Sequence, residues 1–185
     1  MVNEDRAIPV NLDSVLMADF EDVKLTFWAE DGYGVQSPLT EEAVGEAERE
    51  LALRLPALLL DLLSVQNGGE VAEAWDAFPT DEPNSWSPDH VPFPDLLGIG
   101  RREGTLSLLD TPYLTQEWGL PSPVVLLSGD GHYWIALDYR ASGVDREPSV
   151  TWLDADRGTE LALAPDFRSF VEGLVPSGMF DDDFE

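Results

Sequence analysis

Three side chains of the types used by serine hydrolases lie in one short segment: Ser128, Asp130 and His132. Such an enzyme needs a serine hydroxyl within hydrogen-bond reach of a histidine that a third group orients. No Gly-x-Ser-x-Gly elbow surrounds Ser128, and Ser128-Gly129-Asp130-Gly131 has the composition of a β-turn. We therefore interpret the segment as a turn and expect no catalytic residue. A hydrolase that uses His132 remains the less favoured alternative.

The remaining polar residues predict no metal site and no cofactor site. His90 and His132 are the only histidines, and neither belongs to a His-Glu-x-x-His motif. The spacing Asp154-x-Asp156-x-Gly158-x-Glu160 resembles part of a calcium loop, but a hairpin turn explains it equally and the full ligand pattern is missing. The phosphate-binding glycine motifs are also missing. We expect neither a metal nor a cofactor.

The charge balance restricts the partners. Lys and Arg number 10 against 37 Asp and Glu, which gives a formal net charge of −27. Proteins bind nucleic acids and anionic membranes through their Lys and Arg side chains. Direct binding of this acidic chain to either is therefore not expected. A basic protein would be attracted over distance. Solubility or a salt-rich habitat could also account for the charge.

Length and composition favour one cytoplasmic domain. A chain of 185 residues, 43% of them hydrophobic, can bury its own core. It contains no cysteine, which fits a reducing compartment. Its first ten residues have neither the basic nor the apolar region of a signal peptide. The longest apolar run, 55–60, is too short to cross a membrane.

Helices are predicted near the two ends. Thr40 can cap a helix that begins with Glu41 and Glu42, and Pro56 opens a second, apolar helix that ends at 67–69. A closing helix is predicted over 165–174. Strands are predicted between them, at 106–109, 124–127, 133–139, 149–153 and 160–163. Helices, then an antiparallel meander, then a helix indicate an α+β fold.

Two segments carry aromatic residues that could be exposed. The stretch 79–94 contains five prolines and is predicted to be an ordered surface loop anchored by Trp86 and Phe93. In the strand over 133–139, alternation places Trp134 with Asp138 on one face and the tyrosines on the other. One face is expected to be core and the other could be a binding surface. Asp138 is expected to be a buried hydrogen-bond acceptor.

The proline-rich loop and its flanks are the predicted partner surface. They combine acidic side chains, an irregular backbone and an aromatic residue, and loops often carry binding function. The alternative is that Trp86 fills the core while the acids are merely solvated. The predicted contact residues are Glu73, Asp76, Asp81, Glu82, Trp86 and Asp89.

Two ordered groups of residues, across both halves of the chain, resemble the SUKH superfamily. The first is Leu55-Pro56, an apolar helix, and Asn67-Gly68-Gly69. The second runs from Gly129-Asp130-Gly131 through Trp134 to the segment Leu137-Asp138-Tyr139. The resemblance implies a single α+β domain over 27–175, with a mixed or antiparallel sheet and helices packed against it. It leaves an N-terminal extension, 1–26, which could be part of the fold, and an acidic tail, 176–185.

The same resemblance implies a function. Bacterial members of the superfamily are typically immunity proteins that bind and neutralise a toxin domain, often a nuclease, by stoichiometric protein–protein contact. Other members are adaptors in protein complexes, which is the main alternative. No catalytic set comes with the superfamily. A basic toxin, expected to be a nuclease, is therefore the predicted partner, and the charge of −27 agrees with it.

Overall fold

Four antiparallel strands form the central sheet, and they follow one another in both sequence and space. The computed structural model describes residues 18–181. The strands of the central sheet are β5 (Val124–Gly129), β6 (Tyr133–Asp138), β7 (Ser149–Asp154) and β8 (Thr159–Ala164). This meander confirms four of the five predicted strands.

Two small antiparallel sheets lie outside the meander. One pairs β1 (Gly69–Glu70) with β4 (Asp95–Leu96). The other pairs β2 (Ala77–Pro79) with β3 (His90–Pro92) and forms a hairpin inside the proline-rich segment. The prolines therefore restrict this segment to a short hairpin with a long loop, and do not prevent pairing altogether.

Within residues 18–181, five α-helices accompany the sheets: α1 (Phe20–Thr26), α2 (Glu41–Leu51), α3 (Ala57–Val65), α4 (Thr111–Trp118) and α5 (Phe167–Glu172). The hydroxyl of Thr40 accepts a hydrogen bond from the backbone N–H of Ala43 (3.1 Å), which confirms the predicted cap of α2. Pro56 precedes α3 as predicted. The closing helix, α5, is shorter than predicted because Asp166 caps it through the N–H of Ser169 (2.7 Å).

The strand predicted over 106–109 is wrong. A 3₁₀ turn occupies Leu108–Asp110, and it leads directly into α4, which was not predicted. Ser107 and Asp110 each accept a hydrogen bond from the other end of this turn, in a capping-box arrangement. Local side-chain capping therefore overrides the apolar run of this segment, which had suggested a strand.

Both faces of β6 are buried, so neither is the binding surface that alternation allowed. Tyr133, Ile135 and Leu137 belong to the main core with α1, α3 and α5. Trp134 lies on the opposite face, 2% exposed, in a second core that includes Leu114 of α4. The unpredicted helix α4 thus covers the face that would otherwise be open, and the sheet has helices on both sides.

The core includes residues that precede Phe27. In α1, Phe20 and Val23 are fully buried. The backbone N–H of Phe20 donates to Glu172 of α5 (3.1 Å), and the Arg168 guanidinium lies 5.8 Å from the centre of the Phe20 ring. The first and last helices are therefore packed together. Residues 1–17, the remainder of the expected N-terminal extension, lie outside the described residues.

The first part of the expected acidic tail contacts the fold. A 3₁₀ turn occupies Ser177–Phe180, and the Phe180 ring stacks on His90 of the hairpin at 4.1 Å. Asp76 accepts hydrogen bonds from the backbone N–H and the hydroxyl of Ser177 (2.7 and 2.9 Å). The segment up to Phe180 therefore supports the β2–β3 hairpin, and residues 182–185 lie outside the described residues.

Candidate functional site

The loop of the β2–β3 hairpin, residues 80–89, is held in shape by its own polar side chains. The side-chain oxygen of Asn84 accepts hydrogen bonds from the backbone N–H groups of Trp86 and Ser87 (2.8 and 3.1 Å), and its amide donates to the His90 carbonyl (3.0 Å). Such an Asx turn fixes the direction of the chain. As a result the loop projects Trp86 outward, with 53% of the residue exposed. Trp86 therefore does not fill the core.

Most acidic residues predicted to contact a partner are exposed. Glu73, Asp81, Glu82 and Asp89 are on the surface. Asp89 accepts hydrogen bonds from the Ser87 hydroxyl and from His90 (both 2.9 Å), which hold the pKa of Asp89 below its ordinary value. Asp76 differs, because both of its oxygens are already occupied by Ser177. We therefore retain Glu73, Asp81, Glu82 and Asp89 as candidate contact acids and assign Asp76 an intramolecular contact.

Trp86 joins the hairpin loop to one end of the meander. Its ring meets Tyr133 edge-on at 5.7 Å, and Tyr133 stacks on Trp152 at 4.4 Å. Tyr133 begins β6, one residue after the Gly129-Asp130-Gly131 turn. In the sequence, the hairpin loop and the Gly129-Asp130-Gly131 turn are separate segments. In the structure, the contact between Trp86 and Tyr133 brings them together. No local pattern in the sequence predicts this contact, because it depends on how the hairpin packs on the sheet.

The Gly129-Asp130-Gly131 turn requires glycine for two reasons. Gly131 has φ +100°, a conformation that side chains rarely adopt. A Cβ at Gly131 would also lie 2.7 Å from the Trp118 ring at the end of α4. Asp130 accepts hydrogen bonds from the N–H groups of His132 and Tyr133 (2.9 and 3.3 Å), which closes the turn.

The residues of the hydrolase alternative do not form a catalytic set. Ser128 is fully buried and its hydroxyl donates to the Asp95 carboxylate. The His132 side chain is 70% exposed and pairs with Asp156 (2.9 Å), not with Ser128. The hydroxyl and the imidazole therefore have separate partners, and the proton transfer that a serine nucleophile needs has no route between them.

The acidic spacing over 154–160 forms the turn between β7 and β8. The Asp154 side chain accepts a hydrogen bond from the backbone N–H of Arg157 (2.9 Å), and Glu160 pairs with Arg140 (3.0 Å). Across residues 18–181, no group of three or more His, Cys, Asp or Glu side chains is arranged to hold a metal ion.

Asp138 is a buried acceptor at the end of β6. It forms a bidentate ion pair with Arg140, in which Nε donates to Oδ1 (3.0 Å) and Nη2 donates to Oδ2 (2.7 Å). It also accepts a hydrogen bond from the Thr151 hydroxyl (3.1 Å). Burial raises the pKa of Asp138, but the hydrogen bonds and charge of Arg140, with the Thr151 bond, bring it below its ordinary value. These contacts tie β6 to β7 and to the following turn, and they leave Asp138 little capacity for a partner.

Asp95 is a partly buried carboxyl group whose pKa is raised. Burial is the main cause and the charge of Asp130 adds to it, while the hydrogen bond from Ser128 acts in the opposite direction. The folded protein therefore binds this proton more tightly than the unfolded chain. Stability is then lost as the pH rises from the ordinary pKa through the raised one, and the loss persists at neutral pH.

We expect the substitution Asp95→Asn to raise the thermal unfolding midpoint at pH 7 by about 2–4 °C, the change that about 1 kcal/mol produces in a domain of this size. The amide oxygen still accepts from Ser128, while the buried charge is removed. The difference from the unmodified protein should disappear at acid pH. Thermal unfolding across the pH range measures this, with the exposed Asp145→Asn as control. A lower midpoint for Asp95→Asn at pH 7 would contradict it.

Asn67 joins three segments of backbone. Its amide donates to the carbonyls of Ser37 and Ile99 (2.7 and 2.8 Å), and its oxygen accepts from the N–H of Ile99 (2.8 Å). Gly68 follows with φ +89°, and a Cβ there would lie 2.6 Å from the backbone nitrogen of Gly98. The Asn-Gly pair is thus fixed by a close approach of two chains.

Leu55 and Pro56 connect the two helices that precede this motif. Leu55 is 7% exposed, and its N–H donates to Glu48 of α2 (3.1 Å). The Pro56 carbonyl accepts from the N–H of Leu60 in α3 (3.2 Å). The motif from Leu55 to Gly69 therefore positions α2, α3 and β1 relative to one another.

A family model matches this architecture along most of the chain. The model of the SMI1 / KNR4 family (SUKH-1) matches residues 38–173, from just before α2 to the end of α5. The chain belongs to the SMI1 / KNR4 family (SUKH-1). The α+β fold and the suspected SUKH membership are thereby confirmed. The SUKH-1 match begins after α1, although α1 packs in the same core.

Two further findings concern this SUKH-1 protein. The comparison with curated proteins finds no match. Among the residues that the structure describes, none of the helices has both the length and the apolar character needed to cross a membrane.

Proposed function

We propose that this SUKH-1 protein is a bacterial immunity protein, acting in the cytoplasm, that binds a basic toxin domain of nuclease type and neutralises it stoichiometrically. The observation that carries the proposal is a net charge of −27 on a member of a family that includes immunity proteins. A nuclease that grips a phosphate backbone needs a basic surface. An acidic protein can occupy that surface in place of the nucleic acid.

The hairpin loop is the proposed contact region. Glu73, Asp81 and Glu82 are exposed, and none of them forms an ion pair within residues 18–181. Exposed, uncompensated charges steer an oppositely charged partner and increase the association rate. Trp86 belongs to the same loop as Asp81 and Glu82 and has about half its surface exposed, and tryptophan is enriched among the residues that dominate binding energy. The loop therefore carries acidic side chains that would attract a basic partner and an aromatic side chain that would stabilise the complex.

Co-expression tests the proposal. A partner is first recovered from host lysate with the tagged protein at low salt, eluted at high salt and identified by mass spectrometry. The partner is then expressed, with and without this protein, in a host that naturally contains neither of the two. The proposal predicts a basic partner that is toxic alone and harmless in co-expression. Recovery of several unrelated, non-toxic regulatory proteins would contradict it and would favour the adaptor alternative.

We expect the substitution His132→Ala to retain protection in that assay, because stoichiometric binding needs no general base. His132 contacts Asp156 at the surface and has no contact with Ser128, so its removal disturbs neither the core nor a catalytic pair. Cell survival under toxin expression measures this, with the unsubstituted protein as reference. Loss of protection by His132→Ala at unchanged protein level would contradict the non-enzymatic proposal and support the hydrolase alternative.

A further inference from the structure

A cleft opens where Trp86 of the hairpin loop meets the end of the meander. We call it the Trp86 cleft, and its volume is about 290 Å³. Its large aromatic residues are Trp86, Tyr133 and Trp152, and its acidic residues are Asp130, Asp154 and Asp156. His132 also lines the cleft, where it pairs with Asp156 (2.9 Å). The cleft therefore combines flat π surfaces with carboxylates, which is the combination that binds organic cations.

The aromatic wall is rigid on one side and exposed on the other. Tyr133 and Trp152 are buried and stack at 4.4 Å with an interplanar angle of 15°. Trp86 stands against Tyr133 at 64°, at a centroid distance of 5.7 Å, and it is the exposed member. A flat group entering the cleft would meet the Trp86 ring without any change in the core.

Asp154 supplies a carboxylate oxygen without a partner. The residue is 5% exposed and lines the cleft. Its Oδ1 accepts from the N–H of Arg157 (2.9 Å), whereas Oδ2 is buried and has no hydrogen-bond partner among the described residues. Arg157 lies at the rim, but within residues 18–181 its guanidinium forms no ion pair with Asp154. Buried carboxylate oxygens normally have a hydrogen-bonded or cationic partner, so Oδ2 has the capacity to accept a further N–H donor.

The potential inside the cleft is negative. Burial raises the pKa of the Tyr133 hydroxyl, and the charges of Asp130 and Asp95 raise it further. Burial also acts to raise the pKa of Asp154, but the nearby Ser85 hydroxyl, the backbone and the charge of Arg157 bring it below its ordinary value. The Ser85 hydroxyl is close enough to favour the charged carboxylate, although it completes no hydrogen bond to Oδ2. Asp154 is therefore ionised at neutral pH and adds a negative charge to the lining of the cleft.

We propose that the Trp86 cleft binds the guanidinium group of an arginine side chain from a basic protein partner. A guanidinium is planar, stacks on aromatic rings, is weakly hydrated and presents several N–H donors to a carboxylate. A lysine ammonium is more strongly hydrated and matches the flat wall less well. Phosphate and nucleic acid are excluded by the same carboxylates. This inference rests on the proposed function and names the chemistry of its contact.

The probe for the experiment is Nα-acetyl-arginine methylamide, titrated into the full-length ¹⁵N-labelled protein and followed through the indole N–H resonances of Trp86 and Trp152. The neutral citrulline analogue, which has the same shape without the charge, is the matched ligand control. We expect saturable shifts with the arginine probe at millimolar concentration and none with citrulline. Equal shifts with both probes, or none with the arginine probe, would overturn the proposal.

Two substitutions locate the binding within the cleft. Trp86→Ala should weaken arginine binding about fivefold, since an exposed cation–π contact is lost. Asp154→Asn should weaken it about tenfold. Removing the rim cation with Arg157→Ala should tighten it. Glu117→Gln, on the exposed face of α4, is the control for charge alone. If Asp154→Asn is folded by circular dichroism and binds like Glu117→Gln, the proposal is overturned; if it fails to fold, Trp86→Ala, followed through Trp152, decides.

The outcomes separate this inference from the proposed function. Protection from toxin without arginine binding in the cleft would refute the cleft and leave the immunity function. Arginine binding that depends on Trp86 and Asp154, with no toxin neutralised, would support the cleft and refute the immunity function.

Discussion

Replacing Glu73, Asp81 and Glu82 together with lysine is expected to slow association with the basic partner by about 10- to 100-fold at low salt. These three side chains are exposed and form no ion pair in the described part of the chain, so the substitutions act on the field around the hairpin loop and leave the core intact. Electrostatic steering contributes about 10- to 1,000-fold to association rates in comparable cases. Stopped-flow association kinetics measure the change.

The control for this experiment reverses the same number of charges elsewhere. Glu103, Glu117 and Asp145 are exposed and lie outside the hairpin. Reversing them changes the net charge equally, so any effect of overall charge is common to both triple variants. The placement predicts a much larger decrease in rate for the hairpin variant, and a difference that shrinks at high salt as the charges are screened. Equal association rates for the two variants at low salt would contradict the placement of the contact surface.

The second large effect is expected from Asn67→Ala, which should lower the free energy of unfolding by about 3 kcal/mol. The substitution removes three hydrogen bonds and leaves the backbone groups of Ile99 and Ser37 without partners. Each buried polar group left unsatisfied costs about 1–3 kcal/mol. In a domain of this size the corresponding decrease in the unfolding midpoint is about 6–12 °C. Chemical denaturation gives the free energy directly.

Asn84→Ala is the matched control, because it removes an asparagine that also makes three hydrogen bonds to backbone. Those bonds shape the exposed hairpin loop and do not join distant segments. We expect a loss below about 1 kcal/mol for Asn84→Ala. A stability of Asn67→Ala within about 0.5 kcal/mol of the unmodified protein would show that Asn67 is not the structural link that its contacts indicate.

The elements that could be predicted from the sequence are those with a strong local signal. Thr40 and its two glutamates define the start of α2, and Pro56 with Asn67-Gly68-Gly69 bounds α3. The apolar runs separated by Gly-Asp-Gly and Asp-Arg-Gly turns give β5 to β8. In each case one short stretch contains both the periodicity and the residues that end it.

The elements that were missed depend on distant contacts or on weak patterns. Helix α4 has few apolar residues and a proline in its first turn, and only the Ser107-x-x-Asp110 spacing before it could have indicated a helix start. Helix α1 is short, and its Phe20 and Val23 are buried only because α5 lies beside them. Without α4, the Trp134 face of β6 looked like a possible open surface.

The residues of the candidate site also divide into those with a local sequence signal and those that depend on distant contacts. The hairpin loop and Trp86 could be selected from charge, prolines and an aromatic residue. The role of Asp76 could not, since Ser177 lies 101 residues away along the chain. Nor could the Trp86 cleft, because the sequence places Tyr133 and Trp152 on strands and Asp154 at a turn, and only the packing of the hairpin brings Trp86 against Tyr133.

The most direct test of the central claim is a titration of the purified partner's toxic activity with this protein. If the protein neutralises a basic nuclease by occupying its substrate surface, nuclease activity falls linearly and reaches zero at one molar equivalent, with the partner recovered intact from the complex. Activity that persists beyond one equivalent, or that declines catalytically at small fractions of an equivalent, would contradict stoichiometric neutralisation.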